Sequence, residues 1–236
     1  MNSSPPTVPT PPLALKIENL RFRYGNEGPW TVDVPALEMA RGEQLLLTGG
    51  SGRGKSTFLH LIAGLMEPVE GRVCVAGTPI HSLSGAARDL YRGGHVGMIF
   101  QTFNLLHGFS ALENVLAALM FSEVPRSEHR GKALALLSRL GIDRTDAMPD
   151  RLSVGQQQRI AVARAVACDP VLVLADEPTA SLDPENSDGA MDLIQQVCRE
   201  KNAALLCVSH DPSMTARFPT HVRLDELAAG AAGGRR

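Results

Sequence analysis

The chain has little of what marks several whole classes of protein. Its 236 residues include four cysteines, Cys74, Cys168, Cys198 and Cys207, and none of them shows a paired spacing. This argues against a disulfide framework and against a zinc site, and predicts reduced thiols, with Cys198 and Cys207 in the core. Long apolar runs are lacking too. The longest clear one, Val115 to Phe121, falls well short of the ~18 residues of a membrane span. Excess charge of one sign is also missing: 23 Lys and Arg stand against 25 Asp and Glu, for a formal net charge of −2. Binding to nucleic acid by bulk positive charge is therefore disfavoured, which leaves only a local patch, and no nucleic-acid partner is expected. No repeat of solenoid period is present. No basic-then-apolar leader opens the chain, which predicts a protein that stays in the cytosol. His60, His81, His95, His107, His129 and His221 have no metal-ligand spacing and read as ordinary histidines.

What is present is globular. Apolar residues make up 44% and charged residues 20%, at a length that can bury a real core. Residues 1–12 hold five prolines and read as an extended tail, and the Ala/Gly-rich run 228–236 reads as a flexible one. Between them strands alternate with helices. Leu20–Tyr24 has period two and reads as a strand closed by Gly25. Gln44–Thr48 and Ala203–Val208 are short apolar runs of the buried parallel type, and Val171–Ala175 is another. Val96–Phe100 is a further strand. Lys55–Ala63 reads as a helix, residues 110–168 as mainly helical with breaks at Pro125 and Pro149, and Asp183-Pro184 as a helix start with Asp as cap. This order implies an α/β fold, a mostly parallel sheet covered on both faces with a helical insertion.

Two motifs carry chemistry. Gly49, Gly50, Ser51, Gly52, Arg53, Gly54, Lys55 and Ser56 fit the phosphate-loop pattern between a buried strand and a helix, where backbone N–H groups and a helix N-terminus converge on phosphate oxygens. Lys55 can reach the β- and γ-phosphates, Ser56 can hold Mg²⁺, and Thr57 can assist through its hydroxyl. The apolar run 171–175 delivers Asp176 and Glu177 to the carboxyl edge of the sheet. Neighbouring strand residues face opposite ways, so the two acids divide the work. This predicts that Asp176 holds Mg²⁺, directly or through water, and that Glu177 polarises the water that attacks the γ-phosphate.

Leu152-Ser153-Val154-Gly155-Gln156-Gln157-Gln158-Arg159 resembles the signature sequence of the ATP-binding-cassette (ABC) ATPases. Tyr24, Gln101, Ser181-Leu182-Asp183 and His210 resemble that family's adenine-stacking aromatic, Q-loop glutamine, D-loop and switch histidine, in the family's order. The resemblance implies a P-loop NTPase (RecA-like) core over 13–101 and 166–227, a helical subdomain over about 102–165 and a small antiparallel β subdomain. Its cofactors are ATP and Mg²⁺, and its activity is ATP hydrolysis, with Glu177 and His210 catalytic. Gln101, with Ser56 and Asp176, is implied at the metal. Ser153, Gly155 and Gln156 are implied to close the nucleotide of a second, identical subunit, and Asp183 is implied at the nucleotide. Val154 stands where the family usually has glycine, and tolerance is expected because Ser153, Gly155 and Gln156 remain.

The family also implies a separate transmembrane permease, which places the chain at the cytoplasmic face of the inner membrane. Phe103, Asn104, Leu105, Leu106 and Phe109 are candidates for the docking groove. The stretches 100–106 and 111–115 are similar to the lipoprotein-releasing and macrolide-export subfamily, although Ala180-Ser181 replaces its usual Gly-Asn before Leu182-Asp183. Export or extraction of an envelope substrate is the implied work. A cell-division type regulator that moves no solute shares every motif. A DNA-repair ABC protein is disfavoured because neither a second cassette nor a long coiled-coil insertion is present, and a phosphate-loop kinase would leave the signature and His210 without tasks.

Overall fold

A computed structural model of the protein describes residues 13–50 and 52–229. The expected proline-rich tail, Ser51 and residues 230–236 lie outside the described residues. The chain opens on an antiparallel pair, β1 (Leu13–Phe22) and β2 (Val32–Ala40), in register from Leu20↔Val34 to Phe22↔Val32. Leu15, Ile17 and Leu20 of β1 are fully buried, with charged Lys16 and Glu18 on the other side, the pattern of a sheet with one dry face. β3 (Gln44–Thr48) follows, then α1 (Lys55–Ile62). β4 (Glu70–Val75) and β5 (Thr78–Pro79) complete a four-stranded sheet of order β2-β1-β4-β5.

The next element, α2 (Gly85–His95), runs straight into β6 (Val96–Ile99). Three helices come after it: α3 (Ala111–Leu119), α4 (Arg126–Arg139) and α5 (Val154–Val166). β7 (Leu172–Asp176), α6 (Pro184–Glu200), β8 (Ala204–Val208), β9 (Thr220–Arg223) and α7 (Leu224–Ala228) end the described chain. The second sheet has five strands in the order β6-β7-β8-β3-β9, and every pairing in it is parallel.

Alternation along the parallel strands divides the interior in two. Leu46, Val173, Ala175, Leu205 and Cys207 face α3 to α6. Leu45, Leu47, Leu172, Leu174, Leu206 and Val208 face α1 and the antiparallel sheet. Continuous apolar strands are what such a two-sided burial requires. The helix α6 turns Met191, Ile194 and Val197 inward as its periodicity predicts.

Two elements differ from the sequence reading. The first strand begins at Leu13 and stops at Phe22, because the Thr31 N–H returns to the Phe22 carbonyl (2.8 Å) and closes the turn there. Tyr24 is thus in the turn rather than on the strand. Helix α2 was not anticipated: none of its residues is fully buried, and its Tyr91 packs only partly against the core. Its Gly93 is required by packing, since a Cβ there would meet Phe121 at 2.5 Å.

Burial pushes the Cys198 thiol up to about 12 and raises Cys207 as well. Raised values mean less thiolate at a given pH, so both cysteines should alkylate far more slowly at pH 8 in the folded chain than in urea. Mass mapping after iodoacetamide treatment checks this. Labelling at the unfolded rate would place them outside the core.

Candidate functional site

The site begins where β3 ends. Residues 49–54 carry the chain from Thr48 to α1, and Gly54, the residue capping α1, sits at φ 86° and ψ 8°. A Cβ at that position would lie 2.5 Å from the Thr31 backbone oxygen, so only glycine fits both the left-handed conformation and the close approach. No side chain caps this helix start, which leaves its first N–H groups for a ligand. Lys55 is buried, and its ammonium folds back across the loop to the carbonyls of Gly49 (2.9 Å) and Gly50 (3.0 Å).

The acids arrive from the neighbouring strands. Asp176 closes β7 in register with Val208 of β8, which is in register with Leu47 of β3. Three strand ends therefore meet at one edge. Asp176 Oδ1 is buried without a hydrogen-bond partner among the described residues. An orphaned carboxylate oxygen is costly unless something else ligates it. With the Ser56 hydroxyl and the Gln101 amide on the same cleft, it offers the hard oxygen donors that suit a small divalent cation.

Glu177 sits one residue further on, in the left-handed region at φ 48°. Such a conformation in a non-glycine residue costs about 1–2 kcal/mol and persists where the surroundings hold it. Here its N–H donates to the Val208 carbonyl (3.0 Å), and its carboxylate accepts from the Ser209 hydroxyl (3.3 Å) and from His210 Nδ1 (2.7 Å). A carboxylate only accepts, so this bond assigns the proton to Nδ1 and leaves Nε2 as the other ring nitrogen.

One cleft of about 460 Å³ gathers most of the predicted residues: Tyr24, Gly52, Gly54, Lys55, Ser56, Thr57, Gln101, Asp176, Glu177 and His210. Gly49 and Gly50 contribute their carbonyls to Lys55, whereas Arg53 is exposed and lies against Gly50. Tyr24 is 64% exposed, with its ring edge on Phe22 and its hydroxyl 3.0 Å from Thr57 Oγ1. The turn that bears it is braced by Arg23 stacked on Trp30, 4.5 Å from the ring centroid.

Ser153, Gly155, Gln156 and Asp183 do not line this cleft. Ser153 caps α5 in a capping box with Gln156: the Gln156 N–H donates to the Ser153 hydroxyl (3.3 Å), and the Gln156 side chain accepts from the Ser153 N–H (3.0 Å). Val154 is 48% exposed, and a Cβ on Gly155 would meet nothing. The helix end is thus open toward solvent. Asp183 caps α6, accepting from the Asn186 N–H (3.0 Å). Of the docking candidates, Phe103 and Leu105 are buried, while Leu106 and Phe109 are exposed.

The family model described as ABC transporter matches residues 32–180. The chain belongs to the ABC transporter family. It is 40% identical over 216 residues to the lipoprotein-releasing system ATP-binding protein LolD of Paramagnetospirillum magneticum, covering 90% of this chain and 95% of that one. It is 38% identical to the LolD of Granulibacter bethesdensis, covering 92% and 96%. Among solved structures it is similar to the dimeric ATP-binding cassette MJ0796 in a post-hydrolysis state bound to ADP and Pi, at 31% identity and a TM-score of 0.77, covering 89% of this chain and 93% of that one. It is also similar to cbiO1 from Clostridium perfringens, part of the ABC transporter complex cbiONQ, at 26% identity and a TM-score of 0.78, covering 89% and 84%.

Four residues of this ABC chain escaped the sequence reading. Thr31 lines the cleft, brought there by the β1–β2 turn. Ser209 holds Glu177. Gln158, 2% exposed, donates to the Pro178 carbonyl (2.9 Å) and so ties α5 to the segment after Glu177. Arg164 donates to two carbonyls of the loop after Gln101. Gln158 stood inside the signature stretch without a role of its own, and the other three had no signal.

Gly54→Ala should cost at least the left-handed penalty of about 1–2 kcal/mol. In a chain of this size that is a fall of about 2–8 °C in thermal midpoint by calorimetry. An unchanged midpoint would mean that the loop is free to relax away from Thr31.

Proposed function

We propose that this ABC protein binds and hydrolyses ATP as one of two identical subunits, and that each subunit's Ser153 region closes the other's nucleotide. One observation carries the reading. The cleft joins Lys55, Asp176 and the Glu177–His210 pair, while the capped, exposed start of α5 stands outside it. A helix N-terminus is an anion site, and a second copy arranged head to tail supplies the phosphate it faces. The dimeric MJ0796 cassette bound to ADP and Pi supports this arrangement.

In this reading the backbone of residues 49–54 and the Lys55 ammonium bind the phosphates, and the Tyr24 ring takes the adenine face. Asp176, Ser56 and Gln101 would hold Mg²⁺, which when bound neutralises phosphate charge. Glu177 accepts a proton from the attacking water. His210 positions that carboxylate and reaches toward the γ-phosphate. Asp183 and Ser153, with Gly155 and Gln156, act across the dimer on the partner's nucleotide.

No helix among the described residues is long and apolar enough to cross a membrane. In this reading, as the family resemblance implies, the work is passed to a separate permease, with this subunit at the cytoplasmic face of the inner membrane. Exposed Leu106 and Phe109 support such a contact, as does a cleft of about 790 Å³ bearing exposed Leu90, Met120 and Phe121. The segment 102–165 is the arm that the permease moves against the core, 13–101 and 166–227. Similarity to two LolD proteins supports a lipoprotein or related envelope substrate.

Glu177→Gln should keep ATP affinity within about twofold and lower turnover by 10²-fold or more, the usual contribution of a positioned base. Dimers should accumulate with ATP in light-scattering chromatography. Turnover at the wild-type rate would remove Glu177 from this role.

A further inference from the structure

The loop that follows β6 is held in an unusual way. Phe103 and Asn104 are consecutive non-glycine residues in the left-handed region, at φ 60° and 47°. Asn104 turns back on Thr102, its N–H donating to the Thr102 carbonyl (2.7 Å). Side chains rarely adopt this conformation twice in succession, and it persists only where neighbours over-determine it. The neighbour here is Arg164 on α5. Its guanidinium donates to the Phe103 carbonyl (2.7 Å) and to the Asn104 carbonyl. No acidic side chain pairs with Arg164 among the described residues, and burial lowers its pKa from the usual range. A cation desolvated without a carboxylate, its donors committed to two backbone oxygens, is a costly arrangement for a helix surface. From the other side the Ser181 hydroxyl, between Glu177 and α6, donates to the Gln101 carbonyl (2.9 Å). The residue between these two grips is Gln101, which lines the nucleotide cleft.

We propose that Arg164 and Ser181 are positioning residues that clamp the backbone of residues 101–104 from two sides and so aim the Gln101 side chain into the cleft. Arg164 lies on the helix whose N-terminus carries Ser153, and Ser181 lies two residues before Asp183. The clamp thus ties the glutamine to both segments that face the second subunit. Arg164 and Asn104 also border a small cleft with Phe121, beside the apolar surface given above to the permease. A partner seated there would press on a loop whose strain two polar grips restrain. The proposal rests on the reading of Gln101 as a metal or water ligand.

The test is a pair of double-mutant cycles on the full chain: Arg164→Lys and Ser181→Ala, each alone and combined with Gln101→Ala. Steady-state phosphate release gives kcat and KM, and a fluorescent ATP analogue gives affinity. Each single variant should lower kcat by about tenfold, as expected for a misplaced group near the reacting atoms, with nucleotide affinity within about twofold. In the Gln101→Ala background neither should lower kcat further, because the group they aim is gone. Single variants with unchanged kcat overturn the proposal. So do losses that multiply in the double variants, since these would mark a general structural role. If Arg164→Lys does not yield folded protein, the Ser181→Ala cycle decides by the same two outcomes. Gln101→Ala at wild-type turnover would instead remove the reading of Gln101, and the clamp's role with it. An impaired Gln101→Ala with unresponsive or additive partners removes the clamp alone.

Discussion

The parallel ladder from β7 through β8 to β3 is the constraint on which the rest of the molecule depends. Its register sets Asp176, Val208 and Leu47 side by side, so whatever follows each strand emerges at the same edge. After β3 comes the phosphate loop, after β7 the second acid, and after β8 Ser209 and His210. None of these segments touches another in sequence. The hydrogen-bond ladder alone makes them one site, and two-sided burial locks the register because a slip of one residue would turn Leu46 and Leu206 to the wrong faces.

The same edge also carries local strain. Glu177 is left-handed, Gly54 is pressed against Thr31, and Asp176 keeps an unpartnered buried oxygen. Each is a local cost carried by the apolar strands and helices packed around it. Such costs cluster where a ligand or a reaction uses them. Helix α5 adds a second layer of restraint. Its first turn is open and capped, its middle grips the Pro178 carbonyl through Gln158, and its last turns grip the Gln101 loop through Arg164. One helix thereby links the surface proposed for a second subunit, the segment after Glu177 and the loop nearest the apolar cleft.

Much of this was legible in the sequence because its physics is local. A buried parallel strand is a continuous apolar run, and Gln44–Thr48 is recovered residue for residue. A helix start is an Asp before a Pro, and α6 begins there. Helix α2 was illegible because none of its residues is fully buried, and the end of β1 because a backbone hydrogen bond from Thr31 sets it.

The sequence by itself determined which chemical groups the protein owns and at which strand or helix end each one sits. Turn-forming glycines, caps and apolar runs act over a few residues and can be read one segment at a time. Only the tertiary structure decided which of those groups meet. Ser209 holding Glu177, Thr31 against Gly54 and Arg164 across the loop at 103–104 are contacts between residues 23 to 61 positions apart. They exist because strand register and helix packing bring distant backbone oxygens and side chains within hydrogen-bond reach, and no local pattern encodes that distance.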